Sequence, residues 1–223
     1  MSALGFVFDA AGVIVPLALS DLFKPKVPVE ARTNVQFILG HGSKTAGGSV
    51  PHVAIWDDDG NRIGQYHPGS KDKIGEGEVK TITIEHSQTV PQYSQADPYY
   101  VMVSLLSDDA ICVAAITVAN SKVSGAFYGD TGYKCGQSWF ASDNKIGSDF
   151  WKPRCVWLDG NHDYGINARA LSFHLNDMQP NDGKLDEYYK NINTLCRSSP
   201  RFSYWGNLLP DGIIPFFNPK LES

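Results

Sequence analysis

Short apolar segments, each closed off by glycine, proline, asparagine or aspartate, recur along this chain more regularly than any other feature. Residues 79–86 read VKTITIEH, with Ile82 and Ile84 pointing one way and Thr81, Thr83 and Glu85 the other. That alternation belongs to a half-buried strand, because successive side chains leave opposite faces of extended backbone. YYVMVSLL at 99–106 sets Tyr99, Val101, Val103 and Leu105 on one face, and NARALSFHL at 167–175 does the same with Leu171, Phe173 and Leu175. ICVAAITVA at 111–119 is a continuous apolar run rich in β-branched residues. With NVQFIL from Asn34, HVAIW from His52, RIGQY from Arg62 and RCVWL from Arg154, at least eight strands are expected. So many short strands with turn residues between them predict a mainly β chain, an antiparallel β-sandwich or barrel.

One segment has the helical period instead. NDGKLDEYYKNINTLC at 181–196 lines up Leu185, Tyr188, Tyr189, Ile192 and Leu195, with Asn181 or Asp182 placed to cap the start and acids in the first turn. One C-terminal helix is therefore expected near 184–196. The stretch 197–223 is apolar but repeatedly broken by proline, which predicts an extended coil packed on the sheets, with Phe216 and Phe217 closing one end of the core. The polar stretch 87–98 reads as a long loop. With neither an internal repeat nor a domain-sized linker, 1–223 is expected to be a single domain. A fold of 223 residues buries roughly 70% of its unfolded surface, enough for a core that needs no metal or disulfide.

Charge narrows the function classes. The chain is 42% hydrophobic and 19% charged, with a formal charge of -5. Its lysines and arginines stand singly and build no basic stripe, so nucleic acid is not an expected partner. No apolar run approaches the roughly 20 residues of a membrane-spanning helix, so no transmembrane segment is expected. The opening MSALGFVFDAAGVIVPLALS is apolar, but it lacks a basic start and contains Asp9, so it reads as folded protein rather than a leader. Low charge and many aromatic residues lean toward an extracellular, secreted protein whose leader is not present in this chain, with Met1 as an added start. Cys112, Cys135, Cys155 and Cys196 form an even set spread too widely for a zinc pattern, and four cysteines allow three connectivities. At least one disulfide is expected in an oxidising compartment. Cys135 with Cys155 is the favoured pair because both flank one excursion of the chain.

Two stretches carry residue types with metal chemistry. CVWLDGNHDYG at 155–165 contains Gly160, Asn161, His162 and Asp163 in succession, which resembles the metal-binding turn of the metallophosphoesterase family. That family also uses an Asp-x-His, a Gly-Asp and a late Gly-His-x-His, because two adjacent cations demand many hard ligands and a bridging carboxylate. Gly129-Asp130 matches the second element, no Asp-x-His is present, and His174, the one histidine after His162, lacks the Gly-His-x-His context. A tight turn between CVWL and INARALSFHL accounts for Asp159, Gly160 and Asn161 equally well. WDDDGNRIG at 56–64 gathers Asp57, Asp58, Asp59 and Asn61 around Gly60. Such an oxygen-rich cluster suits Ca²⁺, which makes Asp57, Asp59 and Asn61 candidate metal ligands. The twelfth position counted from Asp57 is Pro68, however, where a helix-loop-helix calcium site needs glutamate, and Asp59-Gly60 between two apolar runs signals a hairpin. The expectation is therefore no cofactor, with Ca²⁺ as the alternative. His41, His52, His67, His86, His162 and His174 show neither an i,i+4 helical pair nor a His-x-His spacing. GHGSKTAGGS at 40–49 lacks the spacing of a phosphate loop, and no Gly-x-Ser-x-Gly elbow occurs.

From HVAIWDDDGNRIGQYHPGS through GEGEVKTITIEH to GYKCGQSWF, residues 52–140, the chain resembles uncharacterised secreted proteins of filamentous fungi. It is also similar to the PLAT/LH2 β-sandwich in its glycine-containing hairpin, its regular amphipathic strand, and an aromatic-x-Cys-x-x-x-Trp element formed by Tyr133, Cys135 and Trp139. The resemblance implies a non-catalytic module that binds lipid, protein or polysaccharide surfaces, in some members with calcium. Trp56, Tyr66, Trp139 and Trp151, with Trp157, are the candidate ligand-stacking residues, since aromatic rings offer apolar faces with a polar edge. At most two of the five tryptophans are expected to be exposed. The functional expectation is a secreted, non-catalytic binding or interaction protein recognising polysaccharide, lipid or a host surface. The second reading is a metal-dependent hydrolase using Asp130, Asn161, His162 and His174.

Overall fold

Every segment that apolar patterning marks as a strand forms one. The computed structural model of the chain describes residues 31–88, 96–179 and 182–217, together with the backbone of 5–8 and 14–17. The loop expected at 87–98 falls mostly outside the described residues, as does Asn181. In chain order the strands are β1 (Gly5–Phe8), β2 (Ile14–Leu17), β3 (Arg32–Leu39), β4 (Gly48–Ser49), β5 (His52–Trp56), β6 (Arg62–Tyr66), β7 (Lys73–Ile74), β8 (Val79–Glu85), β9 (Tyr100–Ser104), β10 (Ile111–Ala119), β11 (Ser124–Tyr128), β12 (Trp139–Phe140), β13 (Cys155–Leu158), β14 (Ala170–His174) and β15 (Phe202–Trp205). Short helices α1 (Gly129–Lys134), α2 (Asp182–Lys190) and α3 (Asn193–Cys196) are accompanied by single 3-10 turns at Asp163–Gly165, Leu175–Met178 and Pro215–Phe217.

Two sheets carry the molecule. One has six strands in the order β12-β13-β10-β3-β8, with β11 also paired to β10, and the other has five in the order β15-β14-β9-β5-β6. All their pairings are antiparallel, and neither sheet closes into a barrel. The pairs β1-β2 and β4-β7 stand apart from them. Val35, Phe37, Ile82, Ile84 and Val113 from the six-stranded sheet share one apolar cluster with Val53, Ile55, Val101, Leu171 and Phe173 from the other.

Burial on the outer faces explains the apolar patterns. Ala46 and Ile146 pack with Ile38, Cys112 and Ala114 on the face of the six-stranded sheet turned away from the main cluster. On the five-stranded sheet, Ile214 and Phe217 pack with Ala54, Trp56, Tyr100 and Met102. Central strands covered on both faces read as continuous apolar runs, whereas β8 leaves Thr81, Thr83 and Glu85 exposed and keeps its alternation. A bulge between Val113 and Ala115 also shifts the phase of β10. Val113 and Ile116 face the main cluster, while Ala114 and Ala115 both face outward.

Four expectations are corrected. The coil expected over 197–223 contains β15, because FSYW is free of proline and alternates: Phe202 fills the main cluster and the strand pairs with β14. Phe216 and Phe217 lie on the outer face of the five-stranded sheet and not at one end of the core. In place of one helix near 184–196 there are α2 and α3, and between them the Asn191 side chain accepts a hydrogen bond from the Asn193 N–H at 3.1 Å. Leu185 and Tyr189 are exposed, and only Tyr188, Ile192 and Leu195 of the expected stripe reach the core. Finally, the disulfides are Cys112–Cys155 and Cys135–Cys196, and Cys135–Cys155 does not form. Cys112 and Cys155 lie on neighbouring strands and share the outer face. Cys135, just past α1, ties that helix to the end of α3.

Candidate functional site

An open cleft of about 990 Å³ lies where β13 ends and β10 begins. The loop before β10 supplies Asp108 and Asp109, the turn after α1 supplies Gln137 and Ser138, and the turn after β13 supplies Asp159, Asp163 and Tyr164. Alternation in β13 sends Val156 and Leu158 to the main cluster, which leaves Trp157 on the other face and in the cleft wall. Trp139 of β12 is paired with Val156, so its side chain leaves the sheet on the face opposite Trp157 and meets the cleft at the sheet edge, 44% exposed. The back of the Trp139 ring is held: Tyr133 meets it edge-on at 4.7 Å, and the Arg154 guanidinium lies over Tyr133 at 4.1 Å and over Trp139 at 5.3 Å. Asp130 fixes that guanidinium through a 2.6 Å hydrogen bond. An aromatic ring supported in this way is oriented before any ligand arrives.

The turn after β13 is built around Asp159, which is 1% exposed. Its carboxylate accepts the Asp163 N–H at 2.7 Å and, more weakly, the Asn161 N–H at 3.4 Å. The Asn161 amide donates to the Asp163 carboxylate at 3.0 Å, and Arg169 donates to the Gly160 carbonyl. A side chain on Gly160 would collide with the Ser107 carbonyl at 2.5 Å, so only glycine allows the two loops to meet. His162 and Tyr164 both have left-handed backbone, φ 65° and 55°. That conformation costs a non-glycine residue about 1 kcal/mol or more. Here it leaves the Tyr164 ring 99% exposed at the rim of the cleft.

The charge of the cleft is one-sided. Asp108, Asp109, Asp159 and Asp163 line it together with Thr45, Gln137 and Ser138, and among the described residues no lysine, arginine or histidine joins them. Lys73 approaches Asp109 at 3.6 Å, but both side chains are exposed, so water screens the pair. This arrangement can stack flat apolar faces on Trp157 and Tyr164, with Trp139 at the sheet edge, and accept hydrogen bonds from hydroxyl or ammonium groups. It repels anions.

The residues singled out by sequence fall in several places. Trp139 lines the cleft; Trp151 is exposed against Tyr128 but lies outside the lining, and Tyr66 donates to Asp72 at 3.1 Å on the five-stranded sheet. Trp56 is 1% exposed beneath Phe217 and offers no face to a ligand. Both carboxylate oxygens of Asp57 accept from Asn61, at 2.8 and 3.0 Å, while Asp59 is exposed at the tip of the same hairpin. Asp130 pairs with Arg154, His162 Nδ1 donates to the Ile166 carbonyl at 3.1 Å, and His174 Nδ1 lies 2.8 Å from Asp177. Among the described residues, no group of three or more metal-ligating side chains comes together. Sequence reasoning missed Tyr164, Asp108 and Asp109. Tyr164 follows the Asn161 to Asp163 turn directly, but only its left-handed backbone reveals that the ring is held out in solvent.

No family model matches the chain, and no curated protein matches it. Two crystal structures of lipoxygenase (LOX) variants are similar to it, each with a TM-score of 0.33 and 16% identity, over 44% of this chain and 14% of theirs. The chain thus spans a small part of those enzymes' length.

Proposed function

We propose that this protein is a secreted, non-catalytic β-sandwich of one domain that binds a neutral or amine-bearing polysaccharide along the cleft between Trp139 and Tyr164. The observation that carries the reading is an open groove lined by Trp157 and Tyr164, with Trp139 at its edge, and by the exposed carboxylates of Asp108, Asp109 and Asp163, with no cationic side chain among the described lining residues. Sugar rings present apolar C–H faces to aromatic rings and hydroxyls to acceptors, and the acidic wall disfavours uronic or sulfated polymers. Two disulfides suit an oxidising compartment. Among the described residues, no helix is long and apolar enough to cross a membrane.

The test is retention of the purified protein on insoluble chitin, chitosan, cellulose and β-1,3-glucan, beside Trp139→Ala and Tyr164→Ala. The reading expects at least one polymer to hold the wild type and to release both variants. Failure to bind any polymer, or equal retention of all three proteins, would overturn it.

A further inference from the structure

We infer that His52 and His67 form a two-imidazole site for a divalent late transition metal that favours square-planar or tetragonal geometry, Cu²⁺ before Ni²⁺. The site lies on the β5-β6 hairpin and shares no residue with the cleft. Strand register creates it: Val53 is paired with Tyr66, so the next step outward sets His52 opposite His67. The two Nδ1 atoms stand 3.0 Å apart, with the rings at 78° and their centroids 5.1 Å apart.

That separation selects the geometry. Metal-to-imidazole bonds are about 2.0 Å long, so two cis ligands at a right angle lie about 2.8–2.9 Å apart, whereas two tetrahedral ligands lie about 3.3 Å apart. The observed spacing is nearer the right-angle case, the preference of Cu²⁺ and Ni²⁺ rather than Zn²⁺. Without a metal, the pair can share only one proton between the two nitrogens. Asp211 lies 3.8 Å from His67 Nε2. At that distance Asp211 is a nearby negative charge and not a hydrogen-bond partner of the ring. Arg62 donates to the Asp211 carbonyl at 3.0 Å and holds that segment against the hairpin. Water would fill the remaining positions on the ion.

The experiment is titration of the full chain with Cu²⁺, followed by calorimetry and electron paramagnetic resonance, with wild type, His52→Ala, His67→Ala and His162→Ala compared. The inference expects one tight equivalent whose spectrum carries two imidazole nitrogens. It expects His52→Ala and His67→Ala each to weaken binding at least about tenfold through loss of the chelate, and His162→Ala to leave it unchanged. A wild-type spectrum with one nitrogen, or binding insensitive to both hairpin variants, overturns the site. The wild-type spectrum decides the matter even where a variant fails to fold.

Discussion

Single side chains show how polar groups were placed under constraint. Tyr204 buries its hydroxyl with no hydrogen-bond partner among the described residues, directly above Gly132 of α1. Removing an unpaired buried hydroxyl relieves a desolvation cost, so Tyr204→Phe should raise stability by about 1 kcal/mol in urea unfolding. Asp177 is the opposite case. Burial would raise its pKa, but hydrogen bonds from His174 and Lys184 outweigh this and hold it at about 2 against an ordinary 3.8. A carboxyl depressed by folding stabilises above its unfolded pKa and loses that contribution as pH falls through the folded one. The protein should therefore lose about 2 kcal/mol between pH 4 and pH 2 through this group, and Asp177→Asn should flatten that part of the profile. At this scale the sequence was least legible. His52 and His67 are fifteen positions apart and fit no ligand spacing, because cross-strand register and not helical period brings them together. The Asn161 to Asp163 turn carried the right letters for a metal, yet the buried Asp159 that organises it is visible only in three dimensions.

At the scale of elements, strands were legible where one face or both faces are apolar, and turn chemistry marked their ends. The β5-β6 hairpin is an example: the Asp57 carbonyl accepts from the Gly60 N–H at 3.2 Å, and the Asp57 N–H donates to Asn61 at 3.0 Å. Gly60 has φ 76°, and a Cβ there would lie 2.8 Å from the Phe217 ring. Gly60→Ala should cost at least about 1 kcal/mol from the backbone conformation, and more through the displaced Phe217, as a lowered thermal midpoint. Short elements such as α1 and β12 gave no periodic signal to read. Disulfide connectivity was equally hidden, since it depends on which faces meet. Cys135–Cys196 closes a sequence separation of 61 and anchors the C-terminal helices to α1. Replacing both cysteines by serine should cost about 2–4 kcal/mol in denaturant unfolding under oxidising conditions, with Cys112–Cys155 intact.

For the whole molecule, two antiparallel sheets fill the interior with one shared cluster, and loops carry the cleft at one end. A chain with an overall charge of -5 concentrates four aspartates in that cleft. The mainly β class followed from patterning, but the cleft did not, since most of its residues come from loops separated by much of the chain, with Trp139 and Trp157 added from strand ends. The most direct measurement is calorimetric titration of wild type and Tyr164→Ala with a soluble oligosaccharide of whichever polymer retains the protein. Tyr164 is fully exposed, so its loss leaves the fold intact, and the account predicts a drop in affinity of about tenfold, the worth of one stacking ring. Unchanged affinity in Tyr164→Ala, with the same thermal midpoint, would contradict the cleft as the binding site.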